Sequence, residues 1–138
     1  MSLVLDSSVT LAWIYGDETT DAIRAVFDEV AAAGAAVPAL WRLEVGNSLT
    51  VAVRGGRIDA AFRRAALADL ALLDITTDQH TGVHAWGETL ILAGRHRLTL
   101  YDAAYLELAQ RRALPLATLD GALCAAARTV GVGLLAGG

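Results

Sequence analysis

Four acidic residues stand where the chain otherwise reads apolar. Asp6, Asp102 and Asp120 each lie at a junction between an apolar run and a helix start, and Glu44 lies inside an otherwise apolar helical pattern. A lone buried carboxylate is costly unless it is paired or bound to a cation. Four of them spread over most of the chain suggest one acidic pocket, assembled by the fold. An all-oxygen donor set of that kind suits a hard divalent cation such as Mg2+ or Mn2+. Hydroxyl and amide neighbours accompany the acids: Ser7 follows Asp6, Asn47 lies three residues past Glu44, and Thr118 precedes Asp120 by two. Groups of this type orient ligating carboxylates.

Each acid also has a plainer use. Asp6 precedes Ser7-Ser8 and Asp120 precedes Gly121-Ala122-Leu123, so both are placed to cap helices. Thr99-Leu100-Tyr101-Asp102 resembles a capping box, with the threonine as N-cap. Taken singly, capping is the favoured reading of these three. Glu44 is harder to absorb. Leu40, Leu43, Asn47 and Val51 share its helical face, so a glutamate and an amide would point in the buried direction. Asn47 is then placed to orient Glu44 or to extend the site. The alternative is a helix rotated so that both face solvent.

The elements that must position these residues follow from periodicity. Leu3-Val4-Leu5 is a short apolar strand ending at Asp6. The segment 17–30 carries Ile23, Val26, Phe27 and Val30 at helical spacing. Ala36-Val37-Pro38 is a second strand. Residues 40–53 form a helix stopped by Gly55-Gly56, and Asp59 caps another through Leu70. Residues 72–76 form a strand, and Asp78 opens a helix carrying Val83, Trp86 and Leu90. Thr99 opens a helix through Gln110, residues 114–118 form a strand, and Leu123, Ala126, Ala127 and Val130 mark the last helix, with a final strand over 132–135. Strands alternating with helices predict an α/β domain over residues 1–138, a central parallel sheet of about four to five strands flanked by helices. Ligands in such folds bind outside the carboxyl ends of the strands, where Asp6 and Asp120 both fall.

Composition narrows the chemistry. The chain has 138 residues, enough for one core, and a formal net charge of −4. All 11 basic residues are arginine, so Schiff-base and P-loop lysine chemistry are excluded. One cysteine, Cys124, excludes an internal disulfide and a thiolate metal cluster. The longest apolar run, residues 30–41, is interrupted by Gly34 and Pro38 and is too short to span a bilayer. The N-terminus lacks a basic n-region and a long apolar stretch, so a signal peptide is not expected and a cytoplasmic protein is. The acidic balance argues against binding nucleic acid by charge alone, although a bound cation would reverse the local field.

Four segments in order carry a resemblance: Val4-Leu5-Asp6-Ser7-Ser8-Val9, Glu44-Val45-Gly46-Asn47, Tyr101-Asp102-Ala103-Ala104-Tyr105-Leu106-Glu107-Leu108-Ala109, and Ala117-Thr118-Leu119-Asp120. Their order and spacing resemble a PIN domain, specifically the small VapC-like toxins of bacterial toxin–antitoxin modules. The resemblance covers nearly the whole chain. It implies a PIN-like domain and a Mg2+- or Mn2+-dependent endoribonuclease, usually a homodimer, neutralised by a cognate antitoxin. Asp6, Glu44, Asp102 and Asp120 match the family's acidic quartet, and Thr118 its common hydroxyl position. Two rival readings stand beside it: a metal-dependent phosphohydrolase acting on small phosphate esters, and a catalytically silent RNA- or protein-binding module. The first loses ground because Asp6-Ser7-Ser8 lacks the Asp-x-Asp of an aspartyl-phosphate enzyme and the chain has no lysine.

Arg54 and Arg57 after the Glu44 helix, and Arg95 and Arg97 before Thr99, are the candidate RNA contacts, since the guanidinium fork suits phosphate. Solvated surface is the competing reading. His80 and His84 have metal-ligand spacing but no third nitrogen or sulfur partner, and read as surface. Trp13 and Tyr15 read as core or as a groove wall, which the resemblance would allow to meet an antitoxin segment.

Overall fold

The short apolar segments Val4–Leu5, Ala35–Val37 and Leu116–Ala117 are buried along their whole length, the environment that the centre of a parallel sheet supplies. The computed structural model describes residues 1–137. It shows β1 (Val4–Leu5), α1 (Ser7–Tyr15), α2 (Asp21–Ala33), β2 (Ala35–Val37), α3 (Trp41–Arg54), α4 (Ala60–Leu70) and β3 (Ile75–Thr77). Then come α5 (Thr81–His84), α6 (Glu88–His96), α7 (Leu100–Arg112), β4 (Leu116–Ala117), α8 (Gly121–Val130) and β5 (Leu134–Leu135). The five strands pair all in parallel in the order β3-β2-β1-β4-β5, and the eight helices found among the described residues flank them. The chain winds from β1 outward to β3, then crosses over to β4 on the other side of β1. The gap between β1 and β4 is therefore the point where winding reverses.

Helix α7 is the crossing element. Its residues from Ala103 to Ala109 are all buried, and Tyr105, Leu106 and Leu108 are among the largest side chains in the core. Three alanines in that stretch let neighbouring elements come close. Where the end of α7 meets the residue that follows β3, Arg111 donates to both oxygens of Asp78, at 3.2 and 2.6 Å, and to both oxygens of Glu107, at 2.8 and 3.0 Å.

Three expectations from periodicity are revised. The strand expected over 72–76 lies at Ile75–Thr77, because the turn ending α4 runs on: Leu72 and Leu73 donate their N–H groups to Asp69 and Leu70. Leu72 is left 85 % exposed. The helix expected from Asp78 is broken into α5 and α6 at Gly87, and Val83, Trp86 and Leu90 face outward instead of lining the core. The third revision concerns α3. Its buried row is Trp41, Val45 and Leu49, while Leu43 is 76 % and Val51 56 % exposed. The indole of Trp41 sets this rotation: its Nε1–H donates to the buried Thr10 Oγ1 at 3.1 Å, which pins the largest side chain of the helix inward. Glu44 then sits at the flank of the apolar row, half-buried, and Asn47 is exposed.

Candidate active site

Asp6 follows β1 directly, serves as N-cap of α1, and is only 4 % exposed. Because Leu5 pairs with Ala117 across the winding reversal, the residues after the two strands meet. The Thr118 hydroxyl donates to Asp6 Oδ2 at 2.7 Å and accepts the Asp120 N–H at 3.1 Å. The Ser8 hydroxyl donates to the same Oδ2 at 2.6 Å and accepts the Leu119 N–H at 3.0 Å. Two hydroxyls thus fasten the carboxylate to the loop that carries Asp120. Asp120 itself caps α8, accepting the Leu123 N–H at 2.8 Å.

The other two acids arrive on helices. Asp102 lies in the first turn of α7, where Thr99 is the N-cap and accepts the Asp102 N–H at 3.0 Å. Glu44, on α3, accepts a hydrogen bond from the Tyr105 hydroxyl at 2.5 Å. Tyr105 lies three residues beyond Asp102 on α7, so both side chains leave the same face of that helix.

The electrostatics show which of these groups face one another. Asp6 is pushed above the usual carboxylate range by burial, against the pull of Ser8 and Thr118, with a further upward push from Asp120. Glu44 is raised by burial, and by the charges of Asp6 and Asp102, despite the Tyr105 bond. Asp102 is raised by burial and by Asp120 and Asp6. The Tyr105 phenol is pushed far upward by burial and by Glu44, so it stays a proton donor. Asp6 and Asp102 each push Glu44 upward, and Asp120 does the same to Asp6 and Asp102, so the acids face a common space. Among the described residues, no three His, Cys, Asp or Glu side chains form a group that could hold a metal ion as they stand. The donors that the group offers are oxygens alone, the chemistry that a hard divalent cation takes.

Sequence reasoning overlooked Ser8 and Tyr105. The signal for Ser8 was its place two residues after a strand-end aspartate. For Tyr105 it was the three-residue step from Asp102. Ser7 bears on Glu44 and Tyr105 rather than on Asp6 through its side chain. The structure does not bring the arginines into the group in the same way. Arg57 lies over the Tyr15 ring, 3.7 Å from its centroid, and donates to Glu18 at 3.2 Å, an intramolecular use. Arg54, Arg95 and Arg97 are exposed.

The family model of the PIN domain matches residues 3–129, and the chain belongs to that family. Among solved structures it is similar to PAE2754 from Pyrobaculum aerophilum, with TM-score 0.68 and 26% identity over 91% of this chain and 84% of that one. It also shares its fold with a chain of a toxin–antitoxin complex from Klebsiella pneumoniae, with TM-score 0.54 and 16% identity over 86% of this chain and 87% of that one. No curated protein matches it in sequence.

Proposed function

We propose that the protein is a Mg2+- or Mn2+-dependent endoribonuclease of the toxin type, held inactive by a cognate antitoxin. The observation that carries this is the set of carboxylates Asp6, Glu44, Asp102 and Asp120, which act on one another's charge beside the β1–β4 reversal. PIN domains are generally nucleases that take divalent metals, and this chain's oxygen donors fit such an ion. Asp6, Glu44, Asp102 and Asp120 would hold it, directly or through water. When bound, the cation lowers the pKa of a water and offsets phosphate charge. Ser8 and Thr118 hold Asp6 in one orientation, and Thr99 fixes the turn that presents Asp102. Asn47, exposed one turn beyond Glu44, and Ser7 are placed to extend the polar rim. Arg95 and Arg97, at the α6–α7 connection ahead of Asp102, are better placed for an RNA phosphate than Arg57 is.

The antitoxin reading draws on the Klebsiella pneumoniae relative in fold and on an apolar groove of about 490 Å³ lined by Trp13, Ile14, Phe27, Phe62, Leu70 and Leu73. Trp13 and Phe27 meet there edge to face at 5.3 Å, a preformed wall for apolar residues of an antitoxin segment. A homodimer would cover Val83, Trp86 and Leu90, of which Trp86 is 88 % exposed. No helix among the described residues is long and apolar enough to cross a membrane. We place the activity in the cytoplasm, where RNA is its substrate.

Purified protein free of antitoxin should cleave structured RNA with Mg2+ or Mn2+ and stop with EDTA. Asp6→Asn should remain folded and lose more than the ~10- to 100-fold that outer-shell residues cost. Cleavage by Asp6→Asn at the parent's rate would overturn the reading.

A further inference from the structure

We propose that Tyr105 is a positioning residue of the acidic centre, aiming the Glu44 carboxylate at the metal through the hydrogen bond between its hydroxyl and Glu44 Oε1. The inference rests on the reading of the centre given above and deepens it. Glutamate is among the side chains with most rotamer freedom, and Glu44 sits half-exposed at the flank of α3, where packing does little to hold it. Tyr105 is its opposite. The ring has two rotatable bonds and is fully buried, with 0 % exposure, between apolar neighbours on the central helix. Its hydroxyl reaches 61 positions back in sequence to meet Glu44 at 2.5 Å. A buried phenol needs a partner, and this one finds a carboxylate rather than a backbone carbonyl. The bond takes one of about four lone-pair sites on that carboxylate, so capacity remains toward the crevice. Asp102 leaves the same face of α7 three residues earlier, so one rigid helix supplies one carboxylate and orients a second. Ser7, next to Asp6, bears on the same pair and ties it to the end of β1.

The test is Tyr105→Phe, which keeps the ring and removes only the hydroxyl. Mn2+ binding is titrated calorimetrically, and RNA cleavage is measured alongside. The variant should fold, bind Mn2+ about 10-fold more weakly and lose kcat by a similar factor, while KM for RNA changes little. In the Glu44→Ala background, where the acceptor is gone, the same substitution should add no further loss, because its effect passes through Glu44. If Tyr105→Phe binds Mn2+ and turns over like the parent, and its melting temperature falls equally with and without metal, the tyrosine is a packing residue and the proposal fails. Should Tyr105→Phe not fold, Glu44→Asp serves instead: it keeps the charge but withdraws the carboxylate from the hydroxyl, and undiminished Mn2+ affinity overturns the proposal. A parent protein that binds no Mn2+ at all overturns the reading of the centre itself, an outcome distinct from both.

Discussion

Helix α7 takes part in two groups of carboxylates. Its first turn brings Asp102 among Asp6, Glu44 and Asp120, where burial and neighbouring acid charges raise Asp6, Glu44 and Asp102. About two and a half turns later it places Arg111 between Asp78 and Glu107. Burial would raise Asp78 too, but the Arg111 guanidinium, the His80 backbone and Thr81 together hold it below its usual value. In turn, Glu107 and Asp78 hold Arg111 firmly protonated. Both groups lie on the same helix in the same core. One contains its cation in the sequence; the other collects acids without one. A carboxylate group that is already neutralised fastens elements together. One that is left repelling is strained at neutral pH and gains from a cation added from outside.

The largest effect should come from breaking the neutralised group. Arg111→Met leaves Asp78 and Glu107 buried without their partner, with side chains only 3% and 5% exposed. Removing one partner of such a pair costs about 3–5 kcal/mol. Chemical denaturation should show this loss, with Mn2+ changing neither its size nor its sign. A loss below ~1 kcal/mol would mean that the ion pair is not what fastens α7 to the end of β3.

The next effect belongs to the group without a cation. Mn2+ at 100 times its dissociation constant should stabilise the fold by about 2.7 kcal/mol, because it binds the folded chain and not the unfolded one. Thermal melts of the parent should rise with Mn2+, and those of Asp6→Asn should not. Equal gains in the two proteins would place the ion somewhere else.

The two groups should also respond to pH with opposite signs. A carboxylate raised in the folded state holds its proton more tightly there than in the unfolded chain. Stability therefore falls as pH rises from the ordinary values of 3.8 and 4.5 through the raised ones, as for Asp6, Asp102 and Glu44. Asp78 is lowered from 3.8, so its contribution is present above that value and is lost as pH falls through the lowered one. The metal-free protein should therefore become more stable as pH falls from 7 toward the upper carboxylate range, and less stable in stronger acid. Denaturation midpoints across that range test this. Asp6→Asn should flatten the upper limb and leave the lower one, and an unchanged upper limb would remove Asp6 from the repelling group.

The parallel sheet was legible because short apolar runs alternate with helix-period segments, and the acids were legible because strand ends and an apolar face made them conspicuous. What the sequence hid was rotation. Leu43 and Val51 looked like one row with Glu44, yet α3 turns Trp41, Val45 and Leu49 inward, with the Trp41 indole bonded to Thr10, 31 residues away. Hydrophobic spacing alone does not choose between two apolar stripes on one helix when a tertiary contact decides. The same limit hid Tyr105: its partner is 61 positions away, and a tyrosine inside an apolar run reads as core, which it also is. Arg57 shows the reverse. Its type suggested a phosphate contact; the structure also gives it the Tyr15 ring and Glu18, contacts that its type alone does not announce.

The smallest effect concerns Asp102, where capping and ligation compete. In the structure Thr99 already accepts the Asp102 N–H, so the cap survives if Asp102 becomes asparagine. What changes is charge. As a helix-start acid, Asp102 interacts with the α7 dipole, and its loss should cost about 0.3–1 kcal/mol with or without metal. As a member of the repelling group it burdens the metal-free fold, so Asp102→Asn should leave that fold equally or more stable and shrink the gain from Mn2+. Asp120→Asn is the matched control, since asparagine caps as well as aspartate and only the charge is lost. If both variants keep the metal-free stability and lose part of the Mn2+ response, both acids serve the ion. If Asp102→Asn costs the same in the presence and absence of Mn2+, its carboxylate belongs to the helix and the metal group is smaller by one.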